Sequence, residues 1–393
     1  MFNSSDIKKN FPIFDHYPDL VFADNASTTQ KPSNVIDAIS DYYKTSNANV
    51  HRAVYDLGVK SDEIYHNTRL KLCQFYNKEE AIFTGGTTDG INKLARAIST
   101  ILENDSNIVV SEMEHHSNLL PWQALHNELR VARMTDTGDL DLAHLASLID
   151  DQTRVVSLVH ISNTLGSIND LSKVANLLAG RNCIFIVDAA QSCLLHRDSI
   201  SKINADAFVF GAHKMFGPSG LGVLLAKQKF LDQLPSFDLG GGMVTEVEEQ
   251  HAEFRKDISR FEAGTPPLAQ VAGMHATLTY LEGLDLGQCI THTHSLAIKL
   301  RESLSEIGVQ CLGNPKDLSG IVSATFGEIH PHDAASFLNS KNIAVRAGHH
   351  CTQLIMKKYD IHASVRFSFS IYNDLSDVEK IVDAVKSMKK YFG

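Results

Sequence analysis

A chain of 393 residues with 43% hydrophobic and 21% charged side chains has the composition of a globular protein with a large core, and its length favours two domains. The formal net charge of -10 provides no general basic field, so neither a nucleic-acid backbone nor an anionic membrane is an expected partner. No apolar run approaches the roughly 20 residues of a membrane span, and Asp6, Lys8, Lys9 and Asn10 interrupt the place where a signal peptide would have its apolar core; a cytoplasmic location is therefore expected.

From residue 21 to residue 226 short apolar runs alternate with longer periodic segments, the pattern of strands joined by helices around a mostly parallel sheet. The runs at 81–84, 107–111, 155–160, 183–188, 207–211 and 222–226 are the expected strands, and 89–102, 142–149 and 170–179 the expected helices. Residues 239–267 read as a loop-rich connection, with Gly240-Gly241-Gly242 near its start and Gly264-Thr265-Pro266-Pro267 at its end. A long helix over 268–286 then leads to a smaller α/β unit with strands near 321–326, 343–345 and 364–369 and helices over 332–341 and 376–389. The expected division is a large domain over 17–285 and a small one made of 1–16 and 286–393.

In an open α/β sheet ligands bind beyond the C-terminal strand ends, and that is where the polar clusters of this sequence fall. Phe83-Thr84-Gly85-Gly86-Thr87-Thr88 is a glycine-rich turn opening a helix, suited to cradle a phosphate through backbone N–H groups and threonine hydroxyls. It lacks the lysine of a P-loop, and read alone it is equally a capped turn. Glu112-Met113-Glu114-His115-His116 follows the next strand; neighbouring histidines diverge and no third ligand is spaced nearby, so no metal is expected, and one ring is available to stack on a flat heterocycle. Asp188 ends an apolar strand, where a carboxylate serves either as a cap or against the ring nitrogen of a pyridine cofactor, with Gln191 three residues on. His213-Lys214 follows another strand, and a lysine held in a cleft there has its pKa lowered, as imine formation requires.

The C-terminal half adds Arg346 and Arg366, which bind a carboxylate with a two-pronged geometry that lysine lacks, and Cys351 behind His349 and His350, a cysteine placed to be nucleophilic. The six cysteines are scattered without C-x-x-C spacing; Cys73, Cys183, Cys193 and Cys289 read as small buried hydrophobes.

Taken together with Ser162-Asn163-Thr164-Leu165-Gly166 and Arg260-Phe261-Glu262-Ala263-Gly264-Thr265, these motifs resemble, in order and spacing, the cysteine desulfurases of aminotransferase class V, in the group with the Suf-type desulfurases and selenocysteine lyases. The resemblance implies the fold of pyridoxal-phosphate (PLP) enzymes of fold type I, with a mostly parallel seven-stranded sheet, and conversion of L-cysteine to L-alanine. It also implies that Lys214 carries pyridoxal 5'-phosphate as a Schiff base and moves protons, that His116 stacks on the ring, and that Asp188 and Gln191 contact the ring nitrogen and phenolic oxygen. Thr87, Thr88 and His213 would hold the phosphate, with Thr265 reaching in from the partner of a homodimer. Asn163 and Arg366 would bind the substrate carboxylate, Arg346 and His51 would line the same region, and Cys351 would take the sulfur as a persulfide for an acceptor protein, for instance in iron–sulfur cluster assembly. L-selenocysteine and cysteine sulfinate are alternative substrates of the same pocket, and a cofactor-free scaffold is the alternative of a different class. Where relatives have a serine that donates to the phosphate, this chain has Gly211, which removes one hydroxyl donor.

Overall fold

The computed structural model describes residues 3–50 and 54–392. The first strand, β1 (Val21–Phe22), is short, and seven strands of the main sheet follow: β2 (Glu80–Thr84), β3 (Asn107–Ser111), β4 (Glu128–Ala132), β5 (Thr153–Val159), β6 (Ile184–Asp188), β7 (Ala207–Gly211) and β8 (Gly222–Ala226). They lie in the order β2-β8-β7-β6-β5-β3-β4, and only β8 runs against its neighbours. Strands β3, β7 and β8 are buried along their whole length, as expected of an apolar sheet covered by helices on both faces.

All six expected strands form, three with the expected bounds and three with ends shifted by one or two residues, and the seventh is β4 at the sheet edge. Only Ala132 of that strand is buried, while Glu128 and Arg130 face solvent and pair with each other, so β4 shows no apolar run to detect. The helix expected at 89–102 is Thr87–Ser99, starting directly on the glycine turn. Aspartates at 141 and 170 cap the helices Leu142–Leu148 and Leu171–Leu178 by accepting from the backbone N–H groups of His144 and Lys173.

The connection at 239–267 contains an exposed hairpin, β9 (Val244–Val247) and β10 (Ala252–Phe254), and the chain then enters the helix Leu268–Glu282. That helix packs across Ser33–Thr45 and Asp56–Tyr76. It stops before Gly283, and Asp285 caps a separate helix, Leu286–Glu306, where a single longer element was expected. The smaller unit has β11 (Gln310–Cys311), β12 (Ile321–Thr325), β13 (Ile343–Ala344), β14 (Arg346–Gly348) and β15 (Ser364–Ser368); four of these form an antiparallel sheet in the order β11-β12-β15-β14, and β13 pairs with β1. The helices Leu286–Glu306, Pro331–Asn339 and Leu375–Phe392 pack with it around a second core that includes Leu300, Val322, Phe367 and Val385. Phe11 packs edge-on against Phe216, Tyr280 and Tyr372 in the largest core, which ties the N-terminal segment to the middle of the chain and to its C-terminal part. Among the described residues no helix is long and apolar enough to cross a membrane.

Candidate active site

Because β2, β3, β5, β6 and β7 point the same way, Thr84, Ser111, Val159, Asp188 and Gly211 end at one edge of the sheet. The reversed strand β8 starts at that edge, and Gly222 pairs with both Thr84 and Gly211. A Cβ on Gly222 would stand 2.5 Å from the Cα of Gly86, so the approach of these two turns requires glycine. Gly86 has φ of +150° and begins the helix Thr87–Ser99 without a side-chain cap, which leaves the first N–H groups of a four-turn helix available to an anion. Thr88 shares a hydrogen bond of 2.7 Å with Ser117 across this turn.

A cavity of about 830 Å³ opens at this edge and is lined by the glycine turn, Asp188, Gln191, Lys214, Cys351 and Arg366, among others. Lys214 ends a short 3-10 turn after β7, and the turn is fixed by its carbonyl at His213, which accepts from Thr28, Thr29 and Lys31. Burial pushes the Lys214 amine below its ordinary pKa, with the nearby Asp188 working in the opposite direction. Asp188 is itself buried, and burial raises its carboxyl although the backbone N–H of Ala190 donates to it at 2.9 Å.

The smaller unit closes the cavity from the other side. Arg366 on β15 is buried and donates to the Asn163 carbonyl at 3.0 Å, to Ser27 at 2.6 Å and to Asp24 at 3.1 Å, while its Nε has no partner. Burial lowers its pKa to about 10, against the pull of Asp24. Arg346 on β14 reaches the same Asp24 at 3.1 Å, so one carboxylate holds two arginines at the cavity wall. His350 and Cys351 both adopt positive φ, of 53° and 57°, in a tight turn after Gly348. Non-glycine residues rarely sit there, and such strain persists only where surroundings enforce it. Here Asn163 donates to the His350 carbonyl at 2.8 Å, His116 donates its backbone N–H to the Cys351 carbonyl at 2.8 Å, and Thr352 bonds Thr164 at 2.7 Å.

Of the residues singled out from sequence, Thr87, Thr88, Asp188, Gln191, His213, Lys214, Asn163, Arg346, Cys351 and Arg366 all line this one cavity. His51 lies outside the described residues. Thr265 is exposed and is not on the cavity wall of its own chain. The paired histidines separate in the structure: His115 lines the cavity, whereas His116 does not and turns its ring toward His349, 5.6 Å away. The reason is the backbone, for His115 caps the helix His116–Gln123 in extended conformation and His116 is already its first helical residue. Burial, with Lys214 next in effect, lowers the His115 imidazole to about 3, so a neutral ring faces the lysine. Asn163 lines the cavity and donates one amide N–H to the cysteine loop.

Sequence reasoning gave no role to Asp24 or Ser117, whose importance lies in partners more than 300 and nearly 30 residues away. It also passed over Glu114, a buried carboxylate that bonds Ser111, Asn118 and the N–H of Val159 beneath His115; burial raises it to about 8.

An amine, a buried carboxylate and an anion-binding helix end around one cavity suit a phosphate-bearing aromatic aldehyde, and the seven-stranded sheet with its smaller companion is the architecture of PLP enzymes of the aminotransferase type. The chain belongs to the aminotransferase class-V family, whose model matches residues 21–381. It is 36% identical to a probable cysteine desulfurase of Halalkalibacterium halodurans over 402 residues, covering 100% of this chain and 99% of the relative. It is 35% identical to another from Streptomyces coelicolor, covering 98% and 97%. Among solved structures it is similar to the apo cysteine desulfurase of Thermococcus onnurineus, with a TM-score of 0.95, 33% identity and 99% of each chain covered. It is also similar to the cysteine desulfurase CsdA of Escherichia coli in an S-sulfonic acid form, with a TM-score of 0.92, 29% identity and coverage of 100% and 99%.

Proposed function

We propose that this protein is a PLP-dependent cysteine desulfurase that converts L-cysteine to L-alanine and keeps the sulfur as a persulfide on Cys351 for transfer to an acceptor. The observation that carries this reading is the convergence of Lys214, Asp188, Arg366 and Cys351 on one cavity. The residues fit the cofactor. The uncapped helix start at Thr87, with Thr88, His213 and Ser219 alongside, would hold its phosphate. Asp188 would accept from the protonated ring nitrogen, the cation that its buried carboxylate calls for, and His115 would cover the ring face.

When bound, the cofactor supplies an aldehyde for the Lys214 amine and a ring that withdraws electrons from the substrate. The protein does the rest. Arg366, which lines the cavity with its guanidinium held by three partners, binds the carboxylate of cysteine, and Arg346 stands beside it at the entrance. Lys214, its pKa lowered by burial, takes the proton from Cα and later returns one. The Cys351 thiolate attacks the substrate sulfur; the carbon–sulfur bond breaks as a sulfur–sulfur bond forms, and its electron pair ends on the carbon that becomes the alanine methyl group. Three tethers hold the Cys351 turn, so its sulfur stays near the cavity and an acceptor has to dock there. The same reading makes the protein a homodimer in which the exposed Thr265 completes the partner's phosphate site. It also divides the chain into a large unit over 17–285 and a small one of 1–16 and 286–393.

The test is to incubate the purified protein with cysteine and measure alanine and protein-bound persulfide. Wild type forms both, and Cys351→Ala forms no persulfide; persulfide at wild-type level in that variant refutes the role given to Cys351.

A further inference from the structure

Glu114 does not line the substrate cavity, yet the groups that hold it lead there. It is buried, one residue before His115, in the turn between β3 and the helix His116–Gln123. Its Oε1 accepts from the Ser111 hydroxyl and, at 3.0 Å, from the backbone N–H of Val159, and its Oε2 accepts from the Asn118 amide at 2.6 Å. Val159 lines the cavity and is the register partner of Asp188 on β6. One carboxyl thus ties together the end of β3, the end of β5 and the first turn of the helix that His115 caps.

The polarity of this cage is set by groups that only donate. The indole N–H of Trp122 meets Asn118 Oδ1 at 3.3 Å, where Ser157 also donates at 2.6 Å, so the amide turns its nitrogen to Glu114. The other oxygen of Glu114 faces the N–H of Val159, so both oxygens are called on as acceptors. A carboxylate meets that demand. A protonated carboxyl meets it too, because of its three partners the Ser111 hydroxyl can accept the proton. An amide in the same place sets N–H against N–H whichever way it is turned, and in a buried site an unpaired donor costs more than the hydrogen bond it replaces.

We propose that Glu114 is a positioning residue of the cofactor site: through Asn118 it sets the turn that presents His115 to the cavity, and through Val159 it holds the strand end beside Asp188. The inference rests on the cofactor reading above, in which His115 covers the ring face and Asp188 meets the ring nitrogen.

The experiment reverses the polarity of one bond and then restores it. Glu114→Gln breaks the cage, whereas the double variant Glu114→Gln with Asn118→Asp turns the bond round, the new amide donating to the new carboxylate while Trp122 and Ser157 keep their acceptor. The cofactor-free proteins are titrated with pyridoxal phosphate, and affinity and the visible absorption maximum of the bound cofactor are recorded beside the melting temperature. Glu114→Gln binds severalfold more weakly with a displaced maximum, and the double variant returns toward wild type in both. Ser111→Ala, which removes one bond with little change of volume, shifts both in the direction of Glu114→Gln and is read in its place if that variant does not fold. A glutamate that serves only the fold lowers the melting temperature and leaves the maximum and affinity of the folded protein native; that result overturns the proposal, as does a double variant no nearer to wild type than the single one. Amide hydrogen exchange in the cofactor-free proteins gives a second readout: it rises at Val159 and over 113–118 in Glu114→Gln and falls back in the double variant, and unchanged exchange also overturns the proposal. A native protein that binds no pyridoxal phosphate counts against the cofactor reading, and the exchange measurement then still decides whether Glu114 holds this wall.

Discussion

Arg366→Lys tests the substrate clamp with the least disturbance to fold, because it keeps the positive charge while removing the fork. The guanidinium satisfies Asn163, Ser27 and Asp24 at once and lines the cavity wall. A lysine places one compact ammonium at that spot and has to choose among the same partners and the substrate carboxylate. Loss of one charge-assisted hydrogen bond to the substrate costs about 1.5–3 kcal/mol, which raises KM for cysteine roughly 10- to 150-fold. Burial adds a pH effect. It takes the guanidinium down to about 10, and the same push on a lysine, ordinarily at about 10.4, brings it to roughly 8. KM of the variant therefore climbs further above pH 8, where that of the native enzyme is not affected by this group. The assay is alanine formation against cysteine concentration at pH 7 and pH 9 with a reducing thiol present, alongside thermal melting to confirm folding. A folded variant with KM within threefold of wild type at both pH values would refute the assignment of Arg366 to the carboxylate.

Glu262 accepts from Arg69 through both oxygens and from the N–H of Phe83, in a site where both charged side chains are under 10% exposed. Glu262→Gln strands the guanidinium and is expected to lower unfolding stability by about 3–5 kcal/mol, read from urea denaturation; a loss under 1 kcal/mol contradicts the burial argument. Glu114 has a folded pKa of about 8, above the ordinary carboxylate value, so the folded state holds the proton longer and stability falls as pH rises from about 4.5 to 8. Glu114→Gln, which cannot ionise, has a flatter stability profile over that window, and an unchanged slope in denaturant titrations sinks the reasoning. His115→Ala changes the visible absorption of the bound cofactor whereas His116→Ala leaves it close to native, and the opposite result would return the ring-facing role to His116.

Much of the main sheet was legible because its inner strands are continuous apolar runs ended by polar clusters, and the cavity was legible because each cluster sits at such an end. β4 escaped because an edge strand with one buried residue carries no such run. The helix Asp56–Tyr76 escaped because polar residues are spread along it, whereas Ser33–Thr45 carries Val35, Ile39 and Tyr42 at helical spacing and was legible in principle. The choice of His116 over His115 turned on where a helix begins, a matter of one residue that pattern alone does not settle. Asp24 was hidden for a different reason: its two arginine partners lie at the opposite end of the chain, and only folding brings them within 3.1 Å.

The single reversed strand has a consequence for variation. By threading Gly222 between the end of β2 and the end of β7, it makes the glycine turn and the lysine turn share one wall only a backbone thick. Neither loop is then free to change shape alone: a substitution that swells one is transmitted to the other. Redesign of this pocket for a different cofactor tail would have to move both loops as one piece, hinged on a residue that touches neither substrate nor solvent.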